Sequence, residues 1–480
     1  MSNSGKYETV IGLEVHVQLA TKTKIFCSCS TRFGAEPNTQ VCPVCLGQPG
    51  SLPVLNKKAL EYSIKIGLAL DCDVQDHMKF DRKNYYYPDL PKGYQISQLD
   101  KPLAYAGKIH IKLEDGTEKC IGITRAHMEE DAGKLIHDPS GDCSYVDLNR
   151  TGTPLLEIVS EPEISSPEEA RAYLITLKKI IKYLGVSDCN MEEGSLRCDA
   201  NISLREKGAT KLGNKVEIKN MNSFKAVRDA LTFEEERQTE MLDDEKRIAQ
   251  ETRLWDEAKS ITLSMRAKEE SHDYRYFPEP DLVPFDFIRE LKEKIMRSLP
   301  ELPDAKSKRF KEEHELSDYD VGVLTSEIEI AGFFEALIES SGVNLACNWT
   351  KGEMMMHMKE RNESDPGKLI TPAKLGIVIN MVKKGDISNS SAKEVLRECI
   401  DTGKDPMDIV KEKDLGQVSD QGELEEIVDG VIAANEKSVN DFKSGKENAL
   451  GFLVGQVMKG SKGKANPKLA GEILRKKITG

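Results

Sequence analysis

The residues best suited to do chemistry lie at alternating positions in a short run near the start of the chain. Apolar residues occupy every second position from Ile11 to Leu19, and Glu14 and His16 lie between them. A period of two predicts a β-strand with one buried face, and it leaves a carboxylate and an imidazole on the other face. Together these groups can hold a divalent cation. A single strand of this kind is more often an ordinary half-solvated strand, so the interpretation depends on repetition of the pattern.

Two later segments add carboxylates of the same kind. Glu129, Glu130 and Asp131 are consecutive, and burying such a triplet is costly unless a cation lies between the carboxylates. Neighbouring residues on a strand point to opposite faces, so at most two of the three can serve one site. A solvated acidic turn is the alternative. Glu157 lies in the apolar run 155–159, where a carboxylate needs a partner or a metal.

The alternation recurs in two more segments, 197–205 and 216–219. Their polar positions are Arg197, Asp199, Asn201, Ser203, Arg205, Glu217 and Lys219. Several such strands in the first half of the chain predict an antiparallel sheet whose uncovered face is a polar basin. Helical spacing at 57–70 and 166–184 predicts packing helices, and the strongly charged 224–245 predicts a helix with a solvated face, so the expected fold class is α+β.

Four cysteines form two close pairs, Cys27 with Cys29 and Cys42 with Cys45, separated by twelve residues. Tetrahedral zinc takes two sulfurs from each of two such knuckles, and four thiolates leave no open coordination position. The pattern therefore predicts a structural Zn²⁺ site and not a catalytic one. Free thiols that merely lie together are the alternative. A disulfide framework is disfavoured because the chain has eleven scattered cysteines, an odd number.

The segment 80–95 combines four tyrosines, two prolines and three cations, among them Lys83 and Lys92. The prolines predict an irregular loop, and loops dense in hydrogen-bonding groups commonly line binding sites. A plain surface loop is the alternative.

Composition limits the functional classes. At 480 residues the chain has room for roughly two to four domains. No apolar run approaches the ~20 residues that span a bilayer, and the polar first residues lack a signal-peptide core. We therefore expect a cytoplasmic protein without a membrane partner. The sequence has no phosphate-binding loop, dinucleotide fingerprint or nucleophile elbow, so a nucleotide would be bound through acids, His16 and Mg²⁺.

The charge distribution and the predicted secondary structure change towards the C-terminus. Charged amphipathic segments replace strand patterns beyond about residue 295, which indicates a domain boundary there. A second domain boundary, near residue 410, is marked only by a cluster of turn residues. The whole chain has a formal net charge of −13, which argues against broad nonspecific binding of nucleic acid. Its last 40 residues, however, carry nine Lys or Arg and three acids, a net charge of +6. A small helical domain that meets RNA phosphate fits this asymmetry, and a charged tail without a partner is the alternative.

Taken together, these motifs resemble a known family over essentially the whole chain. The matching blocks are 10–18, the two cysteine pairs, 82–89, 94–98, 127–134, 192–203, 273–280, 449–459 and 465–467. They closely resemble the B subunits of the glutamine-dependent aspartyl/glutamyl-tRNA(Asn/Gln) amidotransferases.

The resemblance implies an architecture, a reaction and partners. The architecture is a β-rich cradle domain over 1–295 with a zinc knuckle at 27–45, a helical domain over 296–410, and a tail domain related to the YqeY family over 411–480. The reaction is ATP-dependent amidation of misacylated Glu-tRNA(Gln), Asp-tRNA(Asn) or both. In it, the tRNA-bound side-chain carboxylate is phosphorylated and ammonia then displaces the phosphate. The partners in a heterotrimer are a glutaminase of the amidase family, which supplies ammonia through a polar channel, and a small third protein.

Residue roles follow from the resemblance and from the chemistry of making an acyl phosphate, which needs a metal to screen phosphate charge. Seven residues are expected to be catalytic, with the two lysines on the ammonia route: Glu14, His16, Glu129, Glu130, Glu157, Lys83 and Lys92. Mg²⁺ is expected on His16, Glu130 and Glu157. Five residues are expected to contact substrate or nucleotide: Arg197, Asp199, Asn201, Glu217 and Lys219. The tail is expected to meet tRNA through Lys459, Lys462 and Lys464.

Two other functions stay open on the sequence alone. A zinc-stabilised RNA-binding module without catalysis explains the cysteine pairs and the basic tail, but it leaves Glu14, His16 and Glu157 without a role. A stand-alone amide-forming ligase would use free ammonium. The chain has no glutaminase nucleophile motif, so activity with glutamine is expected to require a partner.

Overall fold

The chain folds into two compact units, Met1–Leu302 and Pro303–Gly480. The computed structural model describes residues 5–138, 140–141, 143–265, 273–286, 288–416, 421–461, 465 and 467–479. In this part of the chain, all named strands lie in the first unit and the second unit is helical. The predicted α+β class, with a large antiparallel sheet followed by helices, is confirmed.

A nine-stranded sheet forms the centre of the first unit. The strands of the unit are β1 (Tyr7–Gln18), β2 (Asp73–Val74), β3 (Asp81–Asn84), β4 (Tyr94–Ser97), β5 (Ala104–Lys112), β6 (Glu118–Glu130), β7 (Lys134–His137), β8 (Ser144–Asp147), β9 (Pro154–Ser160), β10 (Leu196–Glu206), β11 (Val216–Lys219), β12 (Glu251–Asp256), β13 (Ile261–Ser264) and β14 (Phe277–Pro278). The large sheet has the order β13-β12-β11-β10-β1-β9-β6-β5-β2, and smaller sheets have the orders β14-β3-β4 and β7-β8. Neighbouring strands are antiparallel except β11 and β12, which are parallel.

Alternation along the central strands separates a core face from a polar face. On β1, Leu13 and Val15 are fully buried while Glu14 and His16 are partly accessible, and β10 alternates in the same way. Four helices contribute buried residues to the same hydrophobic core as the apolar face of the sheet: α1 (Lys57–Ala69), α2 (Pro167–Tyr183), α3 (Phe224–Asp243) and α4 (Ile288–Met296). The sequence places the start of α2 clearly, because Ser166 accepts a hydrogen bond from the Glu169 amide and a proline follows it. The polar face of the central strands is thereby left for the site.

The segment 80–95 differs from its predicted irregular loop. Its two ends form strands β3 and β4, which pair with each other, and β14 pairs with the other edge of β3. The two prolines lie in the connection between the strands, where no ladder hydrogen bond is required of them. The hairpin therefore fixes the backbone of Lys83, which a free loop would not.

The second unit contains helices around two hydrophobic cores. Its helical segments are α5 (Pro303–His314), α6 (Asp318–Leu324), α7 (Ile328–Ser341), α8 (Val343–Trp349), a π-helix (Thr350–Met354), α9 (Met355–Arg361), α10 (Pro366–Leu369), α11 (Pro372–Lys384), α12 (Asn389–Thr402), α13 (Pro406–Glu412), α14 (Gln421–Ala434), α15 (Glu436–Lys443), α16 (Asn448–Gly460) and α17 (Pro467–Thr479). One core contains buried residues from Phe310 to Ile409 and the other from Leu424 to Ile478. Among the described residues, no helix combines the length and apolar character needed to cross a membrane.

Candidate active site

Three polar side chains meet in one row across the sheet because of strand register. His16 on β1 lies opposite Glu157 on β9, and Glu157 lies opposite His127 on β6. His16 Nε2 is 3.4 Å from Glu157 Oε2, and His127 Nε2 is 3.2 Å from the same oxygen. Glu157 thus has the partners that its position in an apolar run required.

Glu129 completes this group from the same face of β6. Its Oε1 is 3.6 Å from His16 Nε2, and one donor atom from each of His16, Glu129 and Glu157 lies within 4.8 Å of the others. Two buried carboxylates and an accessible imidazole are a donor set that a divalent cation such as Mg²⁺ can use, with water filling the remaining positions. The residues present therefore fit a metal, and we refer to these three residues as the carboxylate–imidazole group.

Electrostatics favours the charged forms of Glu157 and His16. Burial disfavours the charged form of Glu157, but His127 and His16 outweigh burial and hold the pKa of that carboxyl below its usual range. Burial likewise disfavours protonated His16, yet Glu157 and Glu129 raise the pKa of the imidazole above its usual value of 6.5. The pocket is thus strongly acidic and stabilises a positive charge placed between these side chains.

Glu130 points away from this group, as its neighbour position on the strand requires. Its carboxylate is bound to the Lys92 ammonium, and the Ile96 amide donates to Glu130 Oε1 at 2.8 Å. The side chains of Lys92 and Glu130 are 5% and 2% exposed, so this is a buried ion pair. The structure accordingly brings Glu129, and not Glu130, to His16 and Glu157.

Asp131, the third acid, forms a separate ion cluster. Arg197 donates to Asp131 Oδ2 at 2.7 Å, Arg150 Nε lies 3.5 Å from it, and Gln18 donates to it at 2.8 Å. Burial alone would raise the pKa of Asp131, but Arg197 and Arg150 outweigh it and lower that pKa. Asp131 therefore orients Arg197 along the polar face of the sheet.

The remaining predicted residues form one pair and one group of three on β1, β10 and β11. Asn201 Nδ2 donates to Glu14 Oε1 at 3.0 Å, which leaves Glu14 outside the carboxylate–imidazole group. Lys219 Nζ lies 2.6 Å from Asp199 Oδ2 and 3.0 Å from Glu217 Oε1. The predicted residues are thus neighbours on one polar face, held by each other.

Lys83 lies among tyrosines that face the same basin. Its Nζ is 4.9 Å from the ring centre of Tyr274 and 5.8 Å from that of Tyr85, and these two rings contact edge to face. Burial disfavours the ammonium, but Glu129, with Tyr276 and Glu157, raises the pKa of Lys83. A cavity of about 900 Å³ opens beside it, lined also by Lys219 and exposed tyrosines. Lys83 is therefore a fixed cation at the edge of the acidic group.

The four cysteines converge as the spacing predicted. One sulfur from each lies within 4.8 Å of the others, and none is in a disulfide. The Cys42 amide donates to Cys45 Sγ at 3.2 Å, and the fully buried Lys24 donates to the same sulfur at 3.5 Å. Neighbouring Cys27, with Lys24 and Cys42, lowers the pKa of the Cys45 thiol. Four converging sulfurs with hydrogen-bond donors aimed at one of them fit a closed tetrahedral Zn²⁺ site.

Of the three tail lysines, only Lys459 lies in the described part of the chain. It is exposed in the last turn of α16. Lys462 and Lys464 lie outside the described residues.

Sequence reasoning missed three residues that the structure places at the site. His127 and Tyr274 lie in the matching blocks 127–134 and 273–280, and Asp131 is the third of the consecutive acids, but the sequence assigns a role to none of the three. Alternation along 127–131 places His127, Glu129 and Asp131 on one face. That this face meets Glu157 depends on the pairing of β6 with β9, which the sequence does not show.

Comparison with known proteins relates the chain to two family models. The model of the GatB/GatE catalytic domain matches residues 9–293, which include every residue of the basin and the cysteine cluster, and the model of the GatB domain matches 332–478. These matches place the chain in the GatB/GatE class.

Similar proteins with assigned names identify a more specific family within this class. Proteins named as the B subunit of aspartyl/glutamyl-tRNA(Asn/Gln) amidotransferase are 57% identical over 477 residues in Carboxydothermus hydrogenoformans (98% of this chain, 99% of the relative) and 56% identical over 475 residues in Caldanaerobacter subterraneus (99% and 100%). The relative in Geotalea daltonii is 54% identical over 479 residues (99% and 100%). The chain belongs to the family of B subunits of the aspartyl/glutamyl-tRNA(Asn/Gln) amidotransferases.

Proposed function

We propose that the chain is the B subunit of a tRNA-dependent amidotransferase that amidates misacylated Glu-tRNA(Gln), Asp-tRNA(Asn) or both, with ATP. The observation that carries this proposal is the carboxylate–imidazole group, which lies on the polar face of a sheet in a chain of this family. A non-catalytic RNA-binding module would have no use for two buried carboxylates held against two histidines.

The first step is phosphorylation of the tRNA-bound carboxylate. One carboxylate oxygen attacks the γ-phosphorus of ATP, and ADP leaves. A Mg²⁺ ion held by His16, Glu129 and Glu157 would screen phosphate charge during this transfer. Arg197, oriented by Asp131, and Lys219, held between two acids, supply cationic donors for carboxylate or phosphate oxygens.

The second step is attack of ammonia on the acyl carbon, which expels inorganic phosphate. Lys83 and the buried Lys92–Glu130 pair would line the route by which ammonia reaches the site. Ammonia has three hydrogens and the product amide nitrogen has two, so one proton is released in this step. Because the pKa of Lys83 is raised, Lys83 serves as a cation that positions the departing phosphate, and the surplus proton leaves on that phosphate.

The partners follow from this chemistry. The chain has no glutaminase nucleophile motif, so we propose that a separate glutaminase of the amidase family supplies ammonia and that a small third protein completes a heterotrimer. The exposed Lys459, with Lys462 and Lys464, would meet tRNA phosphate. Zn²⁺ on the four cysteines would be a scaffold for 27–45 and would not take part in the bond-making steps.

The test is ATP hydrolysis by the assembled enzyme. We expect hydrolysis that requires Mg²⁺ and rises on addition of Glu-tRNA, and amidation with glutamine only when the partner proteins are present. Binding of tRNA without stimulated hydrolysis would favour the RNA-binding module instead. Amidation by the purified chain alone, with ammonium as donor and no gain from the partners, would favour a stand-alone ligase.

A further inference from the structure

The turn that carries the second cysteine pair packs against the buried Lys92–Glu130 pair. We call residues 42–48 the knuckle turn. Three backbone hydrogen bonds of 2.9–3.1 Å close it, from the amides of residues 46, 47 and 48 to the carbonyls of residues 42, 44 and 43. Cys42 and Cys45 within the turn supply two of the four sulfurs of the cysteine cluster. The position of Gly47 therefore depends on the same turn that presents these sulfurs.

Gly47 contacts Lys92 where a side chain would not fit. A Cβ built on Gly47 would overlap Lys92 Cγ and would lie 3.1 and 3.2 Å from Lys92 Cβ and Cδ. These atoms belong to the middle of the lysine stem and not to its end, so any larger residue at position 47 would have to displace Lys92 or the turn. Gly47 also has a positive φ of 67°, which disfavours other residues independently of the contact. The backbone of Gly47 thus forms a wall against the Lys92 stem.

The cysteine cluster and the ion pair also meet at Gly152. The point where a Cβ on Gly152 would stand is 3.6 Å from Cys45 Cβ and 3.8 Å from Glu130 Oε2. The Ile25 amide, just ahead of the first cysteine pair, donates to the Gly152 carbonyl, and the Gly152 amide donates to the Asp131 carbonyl, both at 2.8 Å. Glu130 is therefore held against the cysteine cluster, as its lysine partner is held by the knuckle turn.

A small cavity adjoins both the cysteine cluster and the ion pair. Its volume is about 90 Å³, enough for several water molecules. Its lining includes Cys27, Cys45, Gly47, Lys92 and Glu130. Lys92 is therefore not enclosed by close packing on this side, and the Gly47 contact provides more of the restraint on its stem.

We propose that the knuckle turn positions Lys92 for ammonia delivery, with Gly47 as the positioning residue. The turn, ordered by its cysteines when they bind metal, fixes the Lys92 stem and keeps Lys92 paired with Glu130. When this restraint is lost, Lys92 leaves Glu130 and less ammonia reaches the acyl phosphate. Water then attacks the acyl carbon instead, phosphate leaves, and the carboxylate is regenerated. The inference rests on the proposed place of the ion pair on the ammonia route, and it makes metal binding a condition for coupling phosphorylation to amidation.

The first test measures the amide formed per inorganic phosphate released by the assembled enzyme with glutamine and Glu-tRNA. In Gly47→Ala the added methyl group overlaps Lys92, so this ratio should fall by about fivefold or more while ATP hydrolysis stays within about twofold of the wild type. Gly50→Ala is the matched control, because Gly50 has a positive φ of 83° but a Cβ added there has no neighbour within 4 Å. Its ratio should equal that of the wild type. An equal loss in both variants, or an unchanged ratio in Gly47→Ala, would overturn the proposal.

The second test measures zinc binding and needs no catalysis. Coupling between two sites is reciprocal, so a zinc-bound turn that holds Lys92 in place must itself be stabilised by Lys92. We expect zinc affinity of the full chain, measured by competition with a chromogenic chelator, to fall by about fivefold or more in Lys92→Ala combined with Glu130→Gln. The second substitution avoids a buried carboxylate without a partner. Lys83→Met is the control, since Lys83 does not line the small cavity, and it should bind zinc as the wild type does.

The zinc measurement keeps the proposal testable if Gly47→Ala does not fold, because its variants leave Gly47 unchanged. Unchanged zinc affinity in the Lys92 variant, with normal ATP hydrolysis by the wild type, would overturn the positioning role and leave the proposed function intact. Absence of Glu-tRNA-stimulated ATP hydrolysis in the wild type would instead overturn the proposed function, and with it the role of Lys92 in ammonia delivery.

Discussion

His127 is the residue whose role the structure defines and the sequence did not. Its Nε2 lies 3.2 Å from Glu157 Oε2, and its side chain is 4% exposed. An imidazole that donates from Nε2 fixes this carboxylate for a metal, as second-layer partners of metal ligands commonly do. His127→Ala should therefore leave all three members of the carboxylate–imidazole group present but leave Glu157 less well oriented.

The magnitude follows from the lost contact. A buried hydrogen bond to a charged acceptor contributes about 1.5–3 kcal/mol. At about 1.4 kcal/mol per tenfold change, this is a factor of roughly 10–100 in metal affinity. The Mg²⁺ concentration that half-saturates ATP hydrolysis by the assembled enzyme, measured with saturating Glu-tRNA, should rise by that factor.

The conservative variant His127→Gln provides the control. The amide nitrogen of glutamine can take the place of Nε2, so this variant should recover most of the Mg²⁺ affinity, whereas an effect of packing alone would not be rescued. His16→Ala, which removes a member of the group itself, should have the larger effect. An unchanged Mg²⁺ half-saturation in a folded His127→Ala enzyme would refute the positioning role.

Three further predictions concern stability, the cysteine cluster and pH. Lys92→Met leaves the Glu130 carboxylate buried without its partner and should lower the free energy of unfolding by about 3–5 kcal/mol in denaturant titration, and adding Glu130→Gln should recover much of this loss. Cys42→Ser with Cys45→Ser should abolish bound zinc by elemental analysis and make 27–50 sensitive to protease, while Glu-tRNA-stimulated ATP hydrolysis at low temperature persists; its complete loss in folded protein would contradict a scaffold role. Because the pKa of Asp131 is lowered in the folded state, its charge stabilises the fold above the ordinary value of 3.8 and less so as the pH falls through the folded value. The unfolding free energy of the wild type should thus exceed that of Asp131→Asn near neutral pH and converge with it below about pH 4; a difference independent of pH would count against the ion cluster.

Much of the sheet and of its polar face could be predicted from single residues. A period of two is a local signal, so β1 and β10 showed which of their side chains face the core, and a carboxylate in an apolar run marked Glu157. The cysteine spacing is also local and predicted the cluster that the structure contains.

The local sequence does not show which of the three consecutive acids joins the carboxylate–imidazole group. That choice depends on the register of β6 against β9, which shifts at a bulge between Ile123 and Arg125. One residue of slip would have exchanged Glu129 for Glu130. The same register places His127 opposite Glu157, so the role of His127 was hidden for the same reason.

The conversion of 80–95 from a predicted loop to a hairpin has a tertiary cause. Strand β3 gains a partner, Phe277–Pro278, almost two hundred residues later in the sequence. No local sequence pattern predicts such a pairing. The two prolines that suggested a loop lie only in the turn between β3 and β4. The fixed position of Lys83 is a consequence of this distant contact.

The central claim is that the tRNA-bound carboxylate is phosphorylated on this polar face before it is amidated. The most direct measurement follows ¹⁸O from a Glu-tRNA labelled in both side-chain carboxylate oxygens during amidation by the assembled enzyme. The account predicts that one ¹⁸O appears in each inorganic phosphate released, and that a variant lacking His16 and Glu157 releases none. Amide formed without transfer of ¹⁸O to phosphate would contradict the account.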